Sequence, residues 1–165
     1  MHIFLIAAIT ADGYIAKNAT QISTSWTSKE DTKFFAERTK QAGVVVMGAH
    51  TYQTIGRALP DRRTIVYSSE PIETPGVEIT TLSPRELVQK LESEGVRELA
   101  ICGGATVYTM FLEAKLINTL YLTIEPHLFG QGISLCNKPI DLKLELVSIL
   151  TLSPQTLLLE YRTKH

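Results

Sequence analysis

The sequence predicts a three-layer α/β fold, with a mostly parallel central sheet and an antiparallel hairpin at its C-terminal end. Three observations predict it. Short apolar runs rich in β-branched residues alternate with segments that carry helix-start signals, a pattern typical of βαβ units. Residues 43–70 run through strand, helix, loop and strand in succession. The chain then closes with two strands, residues 143–151 and 155–162, joined around Ser153-Pro154.

Composition and charge are those of an ordinary globular protein. The chain has 165 residues, of which 44% are apolar and 20% charged, so we expect a single domain over residues 1–165. The net charge of −1 gives no reason to expect a nucleic-acid or membrane partner. The apolar residues 3–9 are too few to span a membrane and follow no basic stretch, so we expect a cytoplasmic protein. The sequence is compatible with a monomer or a homodimer.

Cysteine and histidine spacing predicts neither a disulfide framework nor a metal site. Cys102 and Cys136 are far apart and form no C-x-x-C pair, which favours two buried, reduced thiols over a disulfide or metal pair. The four histidines show no ligand spacing, so we expect no metal.

The first predicted strand covers residues 2–9, an apolar run that fits a central strand buried on both faces. Its small residues Ala7 and Ala8 either let a flat ligand approach the backbone or simply fill the core. A turn and a polar loop over residues 16–28 follow, and loops this long are usually functional or disordered. The single tryptophan, Trp26, indicates that the end of this loop is ordered.

A helix is predicted to begin at Ser28 and to run to about residue 41. Ser28 is followed three residues later by the acid Asp31, the pattern of a capping box. Phe34 and Phe35 form an inward stripe, and helical spacing puts Asp31 on the same face. Asp31 therefore has two interpretations. It bonds back to the backbone of Ser28, or it is a partly buried carboxylate that faces a cleft with a raised pKa.

The central stretch predicts a βαβ unit. Val44–Met47 and Thr64–Tyr67 are short β-branched runs typical of buried strands, and His50–Ile55 between them predicts a helix. Parallel strands deliver their carboxyl-terminal loops to one edge of the sheet, where open α/β folds bind ligands. Free N–H groups at the helix start would suit a phosphate at this edge.

The second half of the chain continues the alternation. Ser83-Pro84 is a strong helix start, and Gly95 ends that helix. Gly103-Gly104 joins a buried strand to a helix, which is either a phosphate cradle or only a tight turn. Gly130-x-Gly132 predicts a flexible loop. The predicted elements here are strand 77–81, helix 84–94, strand 99–102, helix 105–113 and strand 119–124.

Five pieces of the sequence, in order and correctly spaced, resemble the dihydrofolate reductase family. They are Leu5–Ala8, Trp26-x-x-x-x-Asp31-x-x-x-Phe35, Val46-Met47-Gly48-x-x-Thr51-Tyr52-x-x-Ile55-Gly56-Arg57-x-Leu59-Pro60-x-Arg62, Ile101-x-Gly103-Gly104-x-x-Val107-Tyr108-x-x-Phe111-Leu112 and Leu120–Thr123. Members of the family reduce the pteridine ring of dihydrofolate with a hydride from NADPH. The resemblance implies the same fold and the same chemistry here.

The resemblance implies that Asp31 anchors the pteridine. A carboxylate accepts hydrogen bonds from the 2-amino group and ring N3 together, a geometry that other side chains match less well. Thr123 would support Asp31 with its hydroxyl, and Trp26 completes the implied catalytic residues. The proton for N5 is expected to come through water. The implied substrate-binding residues are Ile6, Ala8, Phe35 and Ile55 around the ring and Arg62 for the glutamate α-carboxylate, although a solvated loop arginine is the alternative for Arg62.

The resemblance also implies an NADPH site across the starts of two helices. Those starts lie at His50-Thr51 and at residues 104–107, with Ser68-Ser69 near the adenosine end, and the family carries a cis peptide at Gly103-Gly104. The implied cofactor-binding residues are Ala8, Ile15, Gly48, His50, Thr51, Ser68, Ser69, Gly103, Gly104, Ala105, Thr106, Val107 and Tyr108.

Three departures from the family pattern keep other functions open. Ala49 stands where many members have a basic residue for the NADPH 2′-phosphate, and Ala16 replaces a common glycine in a longer loop. Residues 124–135 instead resemble the pyrimidine reductases of riboflavin synthesis, with a proline and then Gly-x-Gly. One alternative is therefore an NADPH-dependent reductase of a ribosylaminopyrimidine phosphate, with Arg57, Arg62 or Arg63 for the phosphate. The other is a non-catalytic nucleotide-binding relative.

Overall fold

The computed structural model describes all of residues 1–165, which form ten strands and four α-helices. The strands are β1 (His2–Thr10), β2 (Tyr14–Ala16), β3 (Val44–Gly48), β4 (Arg63–Tyr67), β5 (Val77–Thr80), β6 (Glu98–Ile101), β7 (Thr119–Glu125), β8 (Ile133–Ser134), β9 (Lys143–Ser153) and β10 (Thr156–Lys164). The helices are α1 (Lys29–Ala42), α2 (Ala49–Ile55), α3 (Pro84–Ser93) and α4 (Ala105–Glu113).

Eight of these strands form one sheet in the order β5-β4-β3-β6-β1-β7-β10-β9. The first six strands of that order pair in parallel, and β10 pairs antiparallel with both of its neighbours, β7 and β9. The predicted fold class is confirmed, including the central place of β1 and the closing hairpin. Both hairpin strands extend two residues further than predicted, to Ser153 and Lys164.

The two faces of the sheet carry separate apolar cores because successive side chains of a strand point to opposite faces. In β1, Leu5 belongs to a cluster of 18 buried residues that includes the inward residues of α3 and α4. Its neighbour Phe4 belongs to a cluster of 8 buried residues on the other face, against which Phe34 and Phe35 of α1 pack. Helices therefore cover both faces, and the three layers predicted from the sequence are present.

A small second sheet of two strands lies where the polar loop over residues 16–28 begins. β2 and β8 pair antiparallel, and a short 3₁₀ helix over Ser23–Ser25 precedes the buried Trp26. The loop around Gly130, which we expected to be flexible, is hydrogen-bonded: the Asp12 carboxylate accepts the N–H groups of Phe129 and Gly130 at 3.2 and 2.7 Å. This loop is thereby tied to the turn after β1.

Gly132→Ala should destabilise the protein more than Gly130→Ala. Both glycines have positive φ, 155° and 72°, so each alanine adds backbone strain, of about 1–2 kcal/mol in the left-handed region. At Gly132 the new Cβ would also run into the backbone carbonyl oxygen of Ala16, whereas no atom lies within 4 Å of the position at Gly130. The urea midpoint at unchanged slope measures the difference, and equal midpoints would contradict the clash.

Candidate active site

The carboxyl ends of β1, β3 and β6 meet at one edge of the sheet, where they border a cleft of about 890 Å³. A cleft of this size is in the range that holds small ligands and cofactors. Most residues implied by the family resemblance line it: Ile6, Ala8, Ile15, Asp31, Phe35, Gly48, His50, Thr51, Ile55, Arg62, Gly103, Gly104, Ala105, Thr106, Val107 and Tyr108. The structure thus brings together residues from the whole length of the chain between Ile6 and Tyr108.

The N-terminus of α1 leaves one carboxylate free. Ser28 caps the helix, its Oγ accepting the N–H of Asp31 at 3.1 Å. The reciprocal half of a capping box is absent, because the N–H and the hydroxyl of Ser28 donate to Oε1 of Glu125 at 2.9 and 2.7 Å. The interpretation in which Asp31 bonds back to the Ser28 backbone is therefore wrong: a glutamate of β7 takes that place, and Asp31 lines the cleft.

Burial is the main influence on Asp31. The pKa of its carboxyl is raised from 3.8 to about 6, mainly by desolvation and to a smaller extent by the negative charge of Glu125. A side-chain interaction with Thr123 opposes the shift by stabilising the ionised form. Thr123 is itself only 1% exposed, so this hydroxyl lies behind the carboxylate rather than in the open cleft.

Apolar side chains form the walls on both sides of Asp31. Ile6 is buried in the core on this face of the sheet, and Phe35 and Ile55 pack against that same core while lining the cleft. Ala7 and Ala8 line the cleft as well, so the backbone of β1 is approachable there. A planar ring could lie between these walls with an edge toward the carboxylate.

The two neighbouring arginines of the central stretch differ in their partners. Arg63 forms ion pairs with Glu78 and Glu94, away from the cleft. Arg62 has no carboxylate partner; its Nη1 donates to Thr39 Oγ1 at 2.7 Å and its Nε to the Pro60 carbonyl at 2.8 Å. These bonds orient the guanidinium and leave Nη2 uncommitted at the cleft, which is the arrangement needed to bind an anion.

The starts of α2 and α4 contribute backbone to the cleft lining. No side chain caps the first turns of α2 and α4, so their free N–H groups can bind phosphate oxygens. Glycines leave this space open: a Cβ on Gly48 would lie 3.2 Å from Val107 Cγ2, and one on Gly104 would lie 3.3 Å from Thr51 Oγ1. The peptide bond between Gly103 and Gly104 is cis, as the resemblance implied. These features fit the pyrophosphate of a dinucleotide.

Residues 2–131 match the family model described as dihydrofolate reductase. The chain belongs to this family. It is 35% identical to dihydrofolate reductase type A13 of Escherichia coli over 114 residues, which are 68% of this chain and 65% of the relative. It is 31% identical to dihydrofolate reductase HdrB of Haloferax volcanii over 116 residues, which are 66% of this chain and 58% of the relative. The chain spans less than two thirds of the length of either relative.

Solved structures share the dihydrofolate reductase fold with this chain over nearly its whole length. Dihydrofolate reductase from Enterococcus faecalis, complexed with NADP(H) and RAB-propyl, superposes with a TM-score of 0.76 at 24% identity, covering 99% of this chain and 97% of that one. The diaminohydroxyphosphoribosylaminopyrimidine deaminase/5-amino-6-(5-phosphoribosylamino)uracil reductase of Thermotoga maritima superposes with 0.79 at 19% identity, covering 99% of this chain and 56% of that one. At these identities the likeness concerns the fold alone.

Four of the residues implied by the family resemblance lie outside the cleft lining. Thr123 lies behind Asp31, as described above. Trp26 packs edge-on against His127 and Phe129, with ring centroids 5.8 and 5.1 Å apart. Ser68 bonds within its own turn, to the backbone of Glu70, and Ser69 is an exposed neighbour. Their implied roles stay predictions.

Glu125 is the residue that sequence reasoning missed. The stretch containing it was singled out only because it departs from the family pattern. A signal was nevertheless available: Glu125 stands two residues after Thr123 in a strand, so both side chains point to the same face.

The structure also bears on the expectations for the cysteines, a metal site and a membrane span. Both cysteines are free thiols, as expected. Cys102 is buried, but Cys136, on the loop after β8, is only half-buried. The expectation that both thiols are buried is therefore wrong for Cys136. No group of three or more His, Cys, Asp or Glu side chains is placed to hold a metal ion. None of the helices is long and apolar enough to cross a membrane.

Asp31→Asn is expected to stabilise the folded protein at neutral pH. Because the pKa of Asp31 is about 6 in the folded state and 3.8 ordinarily, the folded state binds more protons than the unfolded state between those values, and stability falls as the pH rises through them. Removing the charge should raise the free energy of unfolding at neutral pH by on the order of 2 kcal/mol.

The gain should disappear in acid, where wild-type Asp31 is protonated in both states, and urea unfolding across the pH range measures this. Asp12→Asn is the matched control with the opposite sign, since hydrogen bonds lower the pKa of Asp12. A loss of stability in Asp31→Asn at neutral pH would contradict the burial of its charge.

Proposed function

We propose that the protein reduces 7,8-dihydrofolate to tetrahydrofolate by hydride transfer from NADPH, with Asp31 anchoring the pteridine ring. The observation that carries this proposal is a carboxylate freed from its helix cap and set in an apolar cleft. Membership of the dihydrofolate reductase family supports it.

Asp31 suits the pteridine on chemical grounds. Its two oxygens can accept the 2-amino group and N3–H side by side, a charge-assisted pair of hydrogen bonds. A pKa of about 6 leaves the carboxylate ionised at neutral pH. The walls around Ile6, Phe35 and Ile55 exclude water and strengthen this attraction, since charges interact more strongly in a low dielectric. The proton for N5 comes through water at the cleft mouth.

The residues at the backbone-lined end of the cleft fit NADPH. The first turns of α2 and α4 would hold the pyrophosphate, and Gly48 and Gly104 leave room for it. When bound, the reduced nicotinamide supplies the hydride for C6 of the pteridine. Ala8 and Ile15 also line the cleft, where their apolar side chains would exclude water from the nicotinamide ring.

The decisive experiment follows the loss of reduced-nicotinamide absorbance with NADPH and dihydrofolate as the only substrates. Wild type should give saturable oxidation. Asp31→Asn should lower turnover at least about a hundredfold, while NADPH binding, measured by fluorescence, stays near wild type. Asp141→Asn is the matched control, because Asp141 is exposed and lies outside the cleft lining. Near-normal turnover in Asp31→Asn would remove the anchor role from Asp31.

Arg62→Ala should raise the KM for dihydrofolate about tenfold or more, because a charge-assisted pair with the glutamate α-carboxylate is lost. A dihydropterin without the glutamate tail should be reduced equally well by wild type and variant. Arg63→Ala is the matched control: it breaks the ion pairs with Glu78 and Glu94 and should leave the KM unchanged. An unchanged folate KM in Arg62→Ala would assign the arginine to the protein surface instead.

A second candidate substrate is a ribosylaminopyrimidine phosphate. The observation that favours it is that Arg57 and Lys40 line the cleft as well as Arg62, although Lys40 is ion-paired with Asp61 at 3.3 Å. A phosphate dianion would suit these cations as well as a carboxylate does. NADPH oxidation with this pyrimidine and none with dihydrofolate would establish the second candidate.

A further inference from the structure

Two helices of the protein begin with the same serine cap but use different acids. At the start of α3, the N–H and hydroxyl of Ser83 donate to Oε2 of Glu86 at 2.9 and 2.7 Å, an ordinary capping box within the helix. At the start of α1, the same two donors of Ser28 reach Oε1 of Glu125 at 2.9 and 2.7 Å. The acid in the third position after Ser28, Asp31, is bypassed.

Glu125 is built into this position. It is 2% exposed, at the end of β7, and its second oxygen, Oε2, accepts the hydroxyl of Thr156 from β10 at 3.1 Å. Three hydrogen bonds thus compensate a buried carboxylate that would otherwise be costly. Thr123 points the same way from β7 and interacts with Asp31. One face of β7 therefore carries both Glu125 and the hydroxyl that interacts with Asp31.

A capping N–H can donate to any acceptor that the fold places within hydrogen-bond distance. Without Glu125, the acceptor within reach of Ser28 is the carboxylate of Asp31, as Glu86 is for Ser83. We propose that Glu125 is a positioning residue, which takes the capping hydrogen bonds of Ser28 and so keeps the carboxylate of Asp31 in the cleft. The effect of Glu125 on catalysis rests on the function proposed above, whereas its effect on the position of Asp31 does not.

The charges around Asp31 support this assignment. The titratable groups that face it are Glu125 from β7, whose negative charge raises the pKa of Asp31, and Tyr108 from α4. The Tyr108 hydroxyl is committed to the Ile6 carbonyl at 2.8 Å. Glu125 therefore both accepts the capping donors of Ser28 and makes the ionised form of Asp31 less stable.

The experiment compares Glu125→Gln and Glu125→Ala by carbon NMR titration of the Asp31 carboxyl. Glu125→Gln keeps an oxygen acceptor for Ser28 and removes the charge, so the pKa of Asp31 should fall only modestly from about 6, because desolvation by burial remains, while the KM for dihydrofolate stays within about twofold of wild type. Glu125→Ala removes the acceptor as well, so Asp31 should turn back to Ser28. The pKa of Asp31 should then fall further than in Glu125→Gln, because the Ser28 donors stabilise its ionised form, and the KM should rise about tenfold or more.

Glu86→Gln is the matched control, since it alters a capping box whose residues do not line the cleft. It should change neither the pKa of Asp31 nor the KM for dihydrofolate. Equal pKa values of Asp31 in the two Glu125 variants would overturn the proposal, and so would a wild-type KM in a folded Glu125→Ala. If Glu125→Ala does not fold, the KM in Glu125→Gln decides: a tenfold rise despite the retained acceptor would overturn the proposal. The titration needs no turnover, so a wild type inactive on dihydrofolate would reject the proposed function and leave this test standing.

Discussion

The parallel pairing of β1 with β6 and β7 is the constraint on which the rest of the molecule depends. β1 is apolar on both faces and lies between these two strands, so both helical layers pack against it. Parallel pairing sends the carboxyl ends of β1, β3 and β6 to one edge. The cleft lies at that edge because helices α1, α2 and α4 must start or end there to cover the sheet.

Charge is distributed along this cleft in separate zones. A single half-buried carboxylate, Asp31, lines the cleft among apolar side chains, and Arg62 and the uncapped starts of α2 and α4 line it as well. The carboxylate can accept hydrogen bonds, whereas the guanidinium and the free helix N–H groups can bind anions. The separation also keeps Arg62 from pairing with Asp31, which would lower the pKa of the acid and cancel both charges.

Much of the fold could be predicted from the sequence, and particular residues show why. Ser28, Ser83 and Gly95 are local signals, and the helices begin or end within a residue or two of them. The apolar run of residues 2–9 predicted a central strand because only a strand covered on both faces lacks polar positions. The lining of the cleft was predicted through family resemblance, which carries tertiary information that spacing alone lacks.

The sequence by itself determined the order along the chain of the helices and of the strands of the main sheet, and the serine caps of α1 and α3. These follow from local preferences and from the periodicity of apolar residues. Only the tertiary structure decided which acid caps α1, because Glu125 is 97 residues from Ser28 along the chain. A hydrogen bond goes to the acceptor that the fold brings within reach, and no local pattern around Asp31 contains that information.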